Sequence, residues 1–488
     1  MRITWVTAPL AVAALALSGL SAPVSASAVP IPPIAWHGCT TGPSDEAGPV
    51  LDAAGAECGE VTVPVDYREL DDRTIAVAVT RKRATDQDRR RGVLMLNPGG
   101  PGTSALEMVL AGPLMPEVAA AYDLVAMDPR FVGRSNPIDC RWKTDTFLRG
   151  AGPDRSTFTA SVTLARDLAA GCAADRTLLP HASTRNTARD MDRVRRALGE
   201  SRISYLGYSY GTYLGAVYLQ MFGDHADRVV LDSAVDPSIY GPGLFARSAP
   251  AIQAALENWA SWAAEHHAEY GLGATRNDVL TTVERLDQKT TTAGLYEVDA
   301  HVLPLLLFTG LYDDGPEVYA SLAGKLRALR TGTPDESLTQ FLTMLFTGSG
   351  PASDRAGTPI LCADRAVSRD PATYYRDIQR HRAAEPLFGP LTRNISPCAF
   401  WPARPAEPAT VIGNRRPALV VGADGDPATP YAGQQVMHEA LAGSRMVTLR
   451  GRFGHGQYLV AGNGCVDGAV NRYLLDGVLP TGDIHCVS

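Results

Sequence analysis

One serine, one histidine and a pair of aspartates stand in settings that could build a nucleophile. Ser209 is the centre of Gly207-Tyr208-Ser209-Tyr210-Gly211, a G-x-S-x-G pattern in which a strand turns sharply into a helix and leaves the middle hydroxyl exposed on a strained backbone. Small residues flank such a turn for steric reasons. Downstream, "GADGDPATP" carries Asp424 and Asp426, and "RGRFGHGQYL" sets His455 between two glycines. A serine hydroxyl attacks only when a base removes its proton, and an imidazole base needs an acid to hold its tautomer and stabilise its cation. Asp426 is the expected acid, because Pro427-Ala428-Thr429-Pro430 fixes a turn that aims it. Asp424 is expected only to cap the loop.

Attack on a carbonyl also creates an oxyanion, which needs two N–H donors. One belongs to the residue after the nucleophile, Tyr210, and the other to an early loop. "NPGGPG" at 97–102 is that loop. Pro98 and Pro101 have no N–H, which leaves Gly99, Gly100 and Gly102, with Gly100 best placed. The loop lacks the lysine of a phosphate-cradling P-loop. Chemistry of this kind requires no metal ion and no organic cofactor.

Such residues work only at the ends of rigid elements, and the chain supplies them. "GEVTVPVDY", "RTIAVAVTRKRA", "RGVLMLN", "YDLVAMDPR", "RISYLG", "RVVLDSAVDP", "PALVVGA" and "SRMVTLRG" read as strands, with β-branched residues bounded by turn formers. "STRNTARDMDRVRRALG" opens on cap-type residues and closes on glycine, as a helix does. Strands alternating with helices predict an α/β fold, a mostly parallel sheet covered on both faces. The stretch 237–416 breaks the rhythm and is largely helical in pattern. It is expected to be a lid inserted before the acid strand, dividing the core into 29–236 and 417–488.

The 488 residues are 45% hydrophobic and 20% charged, with a net charge of −7 and no basic stripe. That balance excludes a nucleic-acid partner. Arg2, an apolar run from Ala8 to Leu20 and the small residues Ala26-Ser27-Ala28 read as an export signal over 1–28. The run is shorter than the ~20 residues of a membrane span, so no stable membrane association is expected. The protein is expected to be secreted, extracellular and monomeric. Eight cysteines without a C-x-x-C favour disulfides in an exported chain. Pairing between sequence neighbours is expected: Cys39 with Cys58, Cys140 with Cys172, Cys362 with Cys398, and Cys465 with Cys486.

The ordered set "ECGEVTVPVDY", "NPGGPGTSA", "MDPRFVGRS", "YLGYSYGTYLG", "GDPATPYAG", "GHGQYL" and "YLLDGVLP" resembles the secreted tripeptidyl aminopeptidases of actinobacteria, in the proline-iminopeptidase branch of the α/β-hydrolases. The resemblance covers nearly all of the chain after the leader. It implies Ser209, Asp426 and His455 as triad, Gly100 and Tyr210 as oxyanion donors, and removal of short peptides, tripeptides above all, from free N-termini. Asp364 and Glu317, in the lid, are candidate carboxylates for the substrate ammonium group. Two departures stand out: Pro98 where proline iminopeptidases carry histidine, and Phe131 where the family's D-P-R-G turn has glycine. An esterase or amidase acting on small molecules would share every catalytic residue, and a non-catalytic binding protein of this fold would not need them.

Overall fold

A computed structural model describes residues 31–68, 73–350 and 353–488. The expected export signal over 1–28 lies outside them. Among the described residues, nine strands form one sheet in the order β1-β2-β4-β3-β5-β6-β9-β10-β11. They are β1 (Glu57–Pro64), β2 (Thr74–Lys82), β3 (Gly92–Asn97), β4 (Tyr122–Met127), β5 (Ile203–Tyr208), β6 (Ala226–Asp232), β9 (Ala418–Ala423), β10 (Ser444–Arg450) and β11 (Ile484–Val487). Only β2 breaks the parallel run, pairing antiparallel with both β1 and β4. Every residue of β3, β4 and β9 is buried. Their largely apolar, fully buried runs suit a parallel sheet covered on both faces.

The expected strands are all present, and two features went unread. A hairpin of β7 (Thr291–Ala293) and β8 (Tyr296–Val298) interrupts the helical stretch. Its strands are too short to show a period, and Gly294 turns it at φ 61°. The edge strand β11 likewise spans only four residues and alternates weakly. Between β6 and β9 the chain is otherwise helical, with helices such as Ala249–Glu265, Leu303–Gly310, Pro316–Thr331 and Ser353–Asp364. Most of these pack around a core that includes Trp259, Leu306, Phe308 and Leu326.

Four disulfides join Cys39–Cys58, Cys140–Cys172, Cys362–Cys398 and Cys465–Cys486, the neighbour pairing expected from their distribution. Beneath the sheet edge, Arg130 follows β4 and is fully buried. It forks onto both oxygens of Asp190 at 2.7 Å and donates to the carbonyls of Pro64, Val65 and His181. Five acceptors around one guanidinium tie β1, the β4 loop and the helix Thr184–Ala197 together. Phe131, beside it, adopts φ 68° and is 1% exposed. A bulky residue is held there in a backbone region that glycine occupies freely, and it lies inside the core rather than on a rim.

Removing one partner of a buried ion pair leaves the other charge without compensation. Asp190→Ala is therefore expected to lower the unfolding free energy by about 3–5 kcal/mol. Urea denaturation of the purified variant checks this, and a loss under about 1 kcal/mol would match a surface pair instead.

Candidate active site

The C-terminal ends of β3, β5, β6, β9 and β10 lie side by side in the sheet, the edge at which open α/β sheets bind ligands. At the end of β5 the chain turns through Ser209 at φ 53°, ψ −121°, and the helix Tyr210–Phe222 follows. Ser209 N–H donates to the Asp232 carbonyl at 2.9 Å, which fixes the strained residue to β6. The flanking glycines are required by contact. A Cβ on Gly207 would sit 2.5 Å from Gly211 O, and one on Gly211 would sit 2.8 Å from Asn97 Oδ1.

The loop after β3 lies against this turn. Gly99 N–H donates to Asn97 Oδ1 at 3.0 Å. A Cβ on Gly99 would approach Tyr208 O to 2.7 Å and Ser209 Cβ to 2.9 Å, so only glycine lets the loop come this close. Gly100 follows at φ 103° and is exposed. The N–H groups of Gly100 and Tyr210 have no hydrogen-bond partner among the described residues. Gly99, by contrast, is already engaged.

Asp426 is fully buried at the end of β9. Its Oδ1 accepts from Ala428 N and Thr429 N, both at 2.9 Å, and its Oδ2 accepts from Thr429 Oγ1 at 2.8 Å. The Pro427 turn thus wraps the carboxylate with donors. His455 Nδ1 stands 3.1 and 3.0 Å from the two oxygens, and Nε2 has no partner among the described residues. Asp424 faces elsewhere, accepting from Gly451 N at 2.8 Å. Burial pushes the His455 pKa down, but the Asp426 charge and hydrogen bond, with a contribution from Asp232, outweigh it and hold the imidazole above its ordinary value.

Asp232 and Ser233, at the end of β6, went unread as site residues. Asp232 accepts from Gln457 N and Tyr458 N, the latter at 2.7 Å, while Ser233 Oγ accepts from Gly456 N at 2.8 Å. The histidine loop therefore hangs from the strand that also holds Ser209. Burial pushes the Asp232 carboxyl up to about 7 against the opposing hydrogen bonds of Tyr458 and Gln457. The acid at the end of "RVVLDSA" was the available signal, since a carboxylate closing a buried strand needs partners.

The helical insertion grips the same loop. His455 N–H donates to Tyr312 O at 2.8 Å, and the Tyr312 ring stands edge-on to the imidazole with centroids 5.4 Å apart. Arg452 is paired with Asp313 and Asp314, and Phe453 N donates to Asp314 Oδ2 at 2.8 Å. Of the two carboxylates of the insertion named from sequence, one is buried and one exposed. Asp364 is 6% exposed, with both oxygens bonded to Thr184. Glu317 is exposed in the first turn of Pro316–Thr331.

A mostly parallel sheet with a serine elbow after β5, a buried aspartate after β9 and a histidine after β10 defines an α/β-hydrolase. A family model described as TAP-like protein matches residues 385–486. The chain is 35% identical over 462 residues to the tripeptidyl aminopeptidase of Streptomyces coelicolor (strain ATCC BAA-471 / A3(2) / M145), covering 88% of this chain and 83% of that one. It is 30% identical over 492 residues to serine protease Hip1 of Mycobacterium tuberculosis (strain ATCC 25618 / H37Rv), covering 93% and 91%. Carboxylesterase B of the same strain is 33% identical over 519 residues, covering 98% and 95%. The chain belongs to the tripeptidyl aminopeptidase family, and it is a serine hydrolase.

The balance of forces on His455 can be measured directly. Its imidazole is expected to titrate above 6.5. Asp426→Asn keeps the burial and removes the charge, so the midpoint should fall below 6.5. Imidazole proton shifts followed by NMR against pH read both values, and no change on substitution would mean that Asp426 does not govern the base.

Proposed function

We propose that the protein is an exported serine exopeptidase that releases tripeptides from free N-termini, with Ser209 as nucleophile, His455 as base, Asp426 as its acid partner and Gly100 and Tyr210 as oxyanion donors. The observation that carries this reading is the pair of distances from His455 Nδ1 to Asp426, 3.1 and 3.0 Å. They support Nδ1 as the nitrogen that donates to the acid, with Nε2 the one that takes the serine proton. Ser209 Oγ attacks the scissile carbonyl while His455 takes its proton. The oxyanion forms against the two backbone N–H groups, and His455 then protonates the departing amine. The N-terminal peptide stays on Ser209 as an ester until water, activated by the same histidine, releases it.

Peptide substrates follow from the relatives named tripeptidyl aminopeptidase and serine protease. Export is supported by the four disulfides, which persist in oxidising compartments, together with the leader read from sequence. The insertion acts as a lid that limits access to chain ends. The relative named carboxylesterase B keeps ester hydrolysis as the second reading.

Ser209→Ala should cut kcat on the order of 10⁴- to 10⁶-fold without shifting the thermal midpoint. A variant retaining a tenth of the activity would remove Ser209 from the chemistry. The base must be neutral to accept a proton, so kcat/KM is full above the His455 pKa and lost as pH falls through it, with a midpoint above 6.5. Substrate class is tested by kcat/KM on an Ala-Ala-Pro anilide, its N-acetylated form and a simple acetate ester. The free peptide should be preferred by at least about 30-fold, the scale of losing one buried charge contact. Equal rates on free and blocked peptide would sink the exopeptidase reading, and turnover of the ester alone would establish the esterase.

A further inference from the structure

The two arms of the proposed oxyanion site directly follow strands β3 and β5 of the sheet, yet one helix of the insertion, Ser353–Asp364, reaches each of them. Gly357 of that helix is buried against Pro101, the residue after Gly100. A Cβ built on Gly357 would lie 2.0 Å from Pro101 O and 2.7 Å from its carbonyl carbon. Contacts under 3.0 Å to backbone force the backbone to move. The helix therefore rests directly on the oxyanion loop, with no space for a methyl group.

At its other end, Asp364 accepts from Thr184 N at 2.7 Å and from Thr184 Oγ1 at 2.5 Å. Thr184 Oγ1 is also 3.1 Å from Tyr210 OH. The threonine hydroxyl has one proton and gives it to the carboxylate, so the tyrosine O–H donates to the threonine. The chain Tyr210 to Thr184 to Asp364 is buried throughout. Tyr240 closes the other side, its ring 5.8 Å from that of Tyr210 and 3.9 Å from that of Tyr213. Tyr210, the residue read as an oxyanion donor, is thus held by its side chain.

We propose that the helix Ser353–Asp364 is a brace that sets the spacing of the two oxyanion donors, with Gly357 positioning the Gly100 loop and Asp364 positioning Tyr210 through Thr184. The proposal rests on the reading of Ser209 as nucleophile and of Gly100 and Tyr210 as donors. Oxyanion donors stabilise charge only when they lie within a few tenths of an ångström of hydrogen-bond distance from where it develops. A displacement of about 1 Å costs on the order of 10²-fold in rate. Neither positioning residue reaches substrate: Gly357 has no side chain, and both Asp364 oxygens are taken.

The experiment compares full-length wild type with Gly357→Ala, Tyr210→Phe and Asp364→Asn. It reads kcat and KM on the Ala-Ala-Pro anilide, inhibition by free Ala-Ala-Pro, the thermal midpoint, and the rate of Ser209 labelling by a fluorophosphonate, whose phosphonylation also develops charge at the oxyanion position. The expected result is a fall of about 10- to 100-fold in kcat and in labelling rate together, a fraction of the loss of a whole donor. KM and product inhibition should stay within about threefold. Tyr210→Phe keeps the ring packing, so it and Gly357→Ala decide the matter if Asp364→Asn does not fold. Folded variants with wild-type kcat, or losses that appear in KM and the thermal midpoint but not in labelling, would overturn the brace alone. Failure of the reagent to label Ser209 in the wild type would overturn the nucleophile assignment and the brace with it.

Discussion

Asp232 closes β6 with its carbonyl on Ser209 N and its carboxylate on the backbone of Gln457 and Tyr458. One buried residue thereby fixes the distance between a strained turn and the loop that carries the imidazole. Burial of a carboxylate is unfavourable unless its lone pairs are filled, and here the filling groups are the backbone N–H groups that a loop would otherwise leave unsatisfied. Each side answers the other's desolvation. Loss of that carboxylate would free two buried donors as well as one loop.

The insertion is tied into the site from two directions. Tyr312 and Asp314 hold the backbone of the histidine loop, and the helix Ser353–Asp364 rests on the loop after β3 through Gly357. A cover that only excluded solvent would need neither contact. Because Arg452 is paired with Asp313 and Asp314, the histidine loop is bounded by the sheet below and the insertion above. Rigid support of this sort holds the loop's groups within a small tolerance.

Backbone strain occurs both at the candidate nucleophile and in the core. Ser209 at φ 53° and Phe131 at φ 68° both occupy a backbone region that side chains disfavour, typically at about 1–3 kcal/mol each. A hydrogen bond to β6 holds the first, and the buried guanidinium of Arg130 lies 5.9 Å over the ring of the second. Glycine at position 131 would relieve the backbone but leave a cavity beside a buried ion pair.

The main strands, the α/β class and the glycine-flanked turn at Ser209 were legible in the sequence because each rests on a local pattern: a run of apolar residues, a period, a turn residue. The Pro427 turn is local as well, and it is why Asp426 and not Asp424 faces His455 in the folded chain. Hairpin β7–β8 and edge strand β11 escaped because three or four residues carry no period. The remaining features join residues whose partners lie far away in the chain, so that even a local cue such as the acid closing β6 does not name its partner. Asp232 meets the backbone of Tyr458 across 226 positions of chain, and Thr184 meets Asp364 across 180. Buried polar partners of that kind are chosen by three-dimensional packing, since a hydrogen bond depends on where two atoms come to rest and not on how many residues separate them.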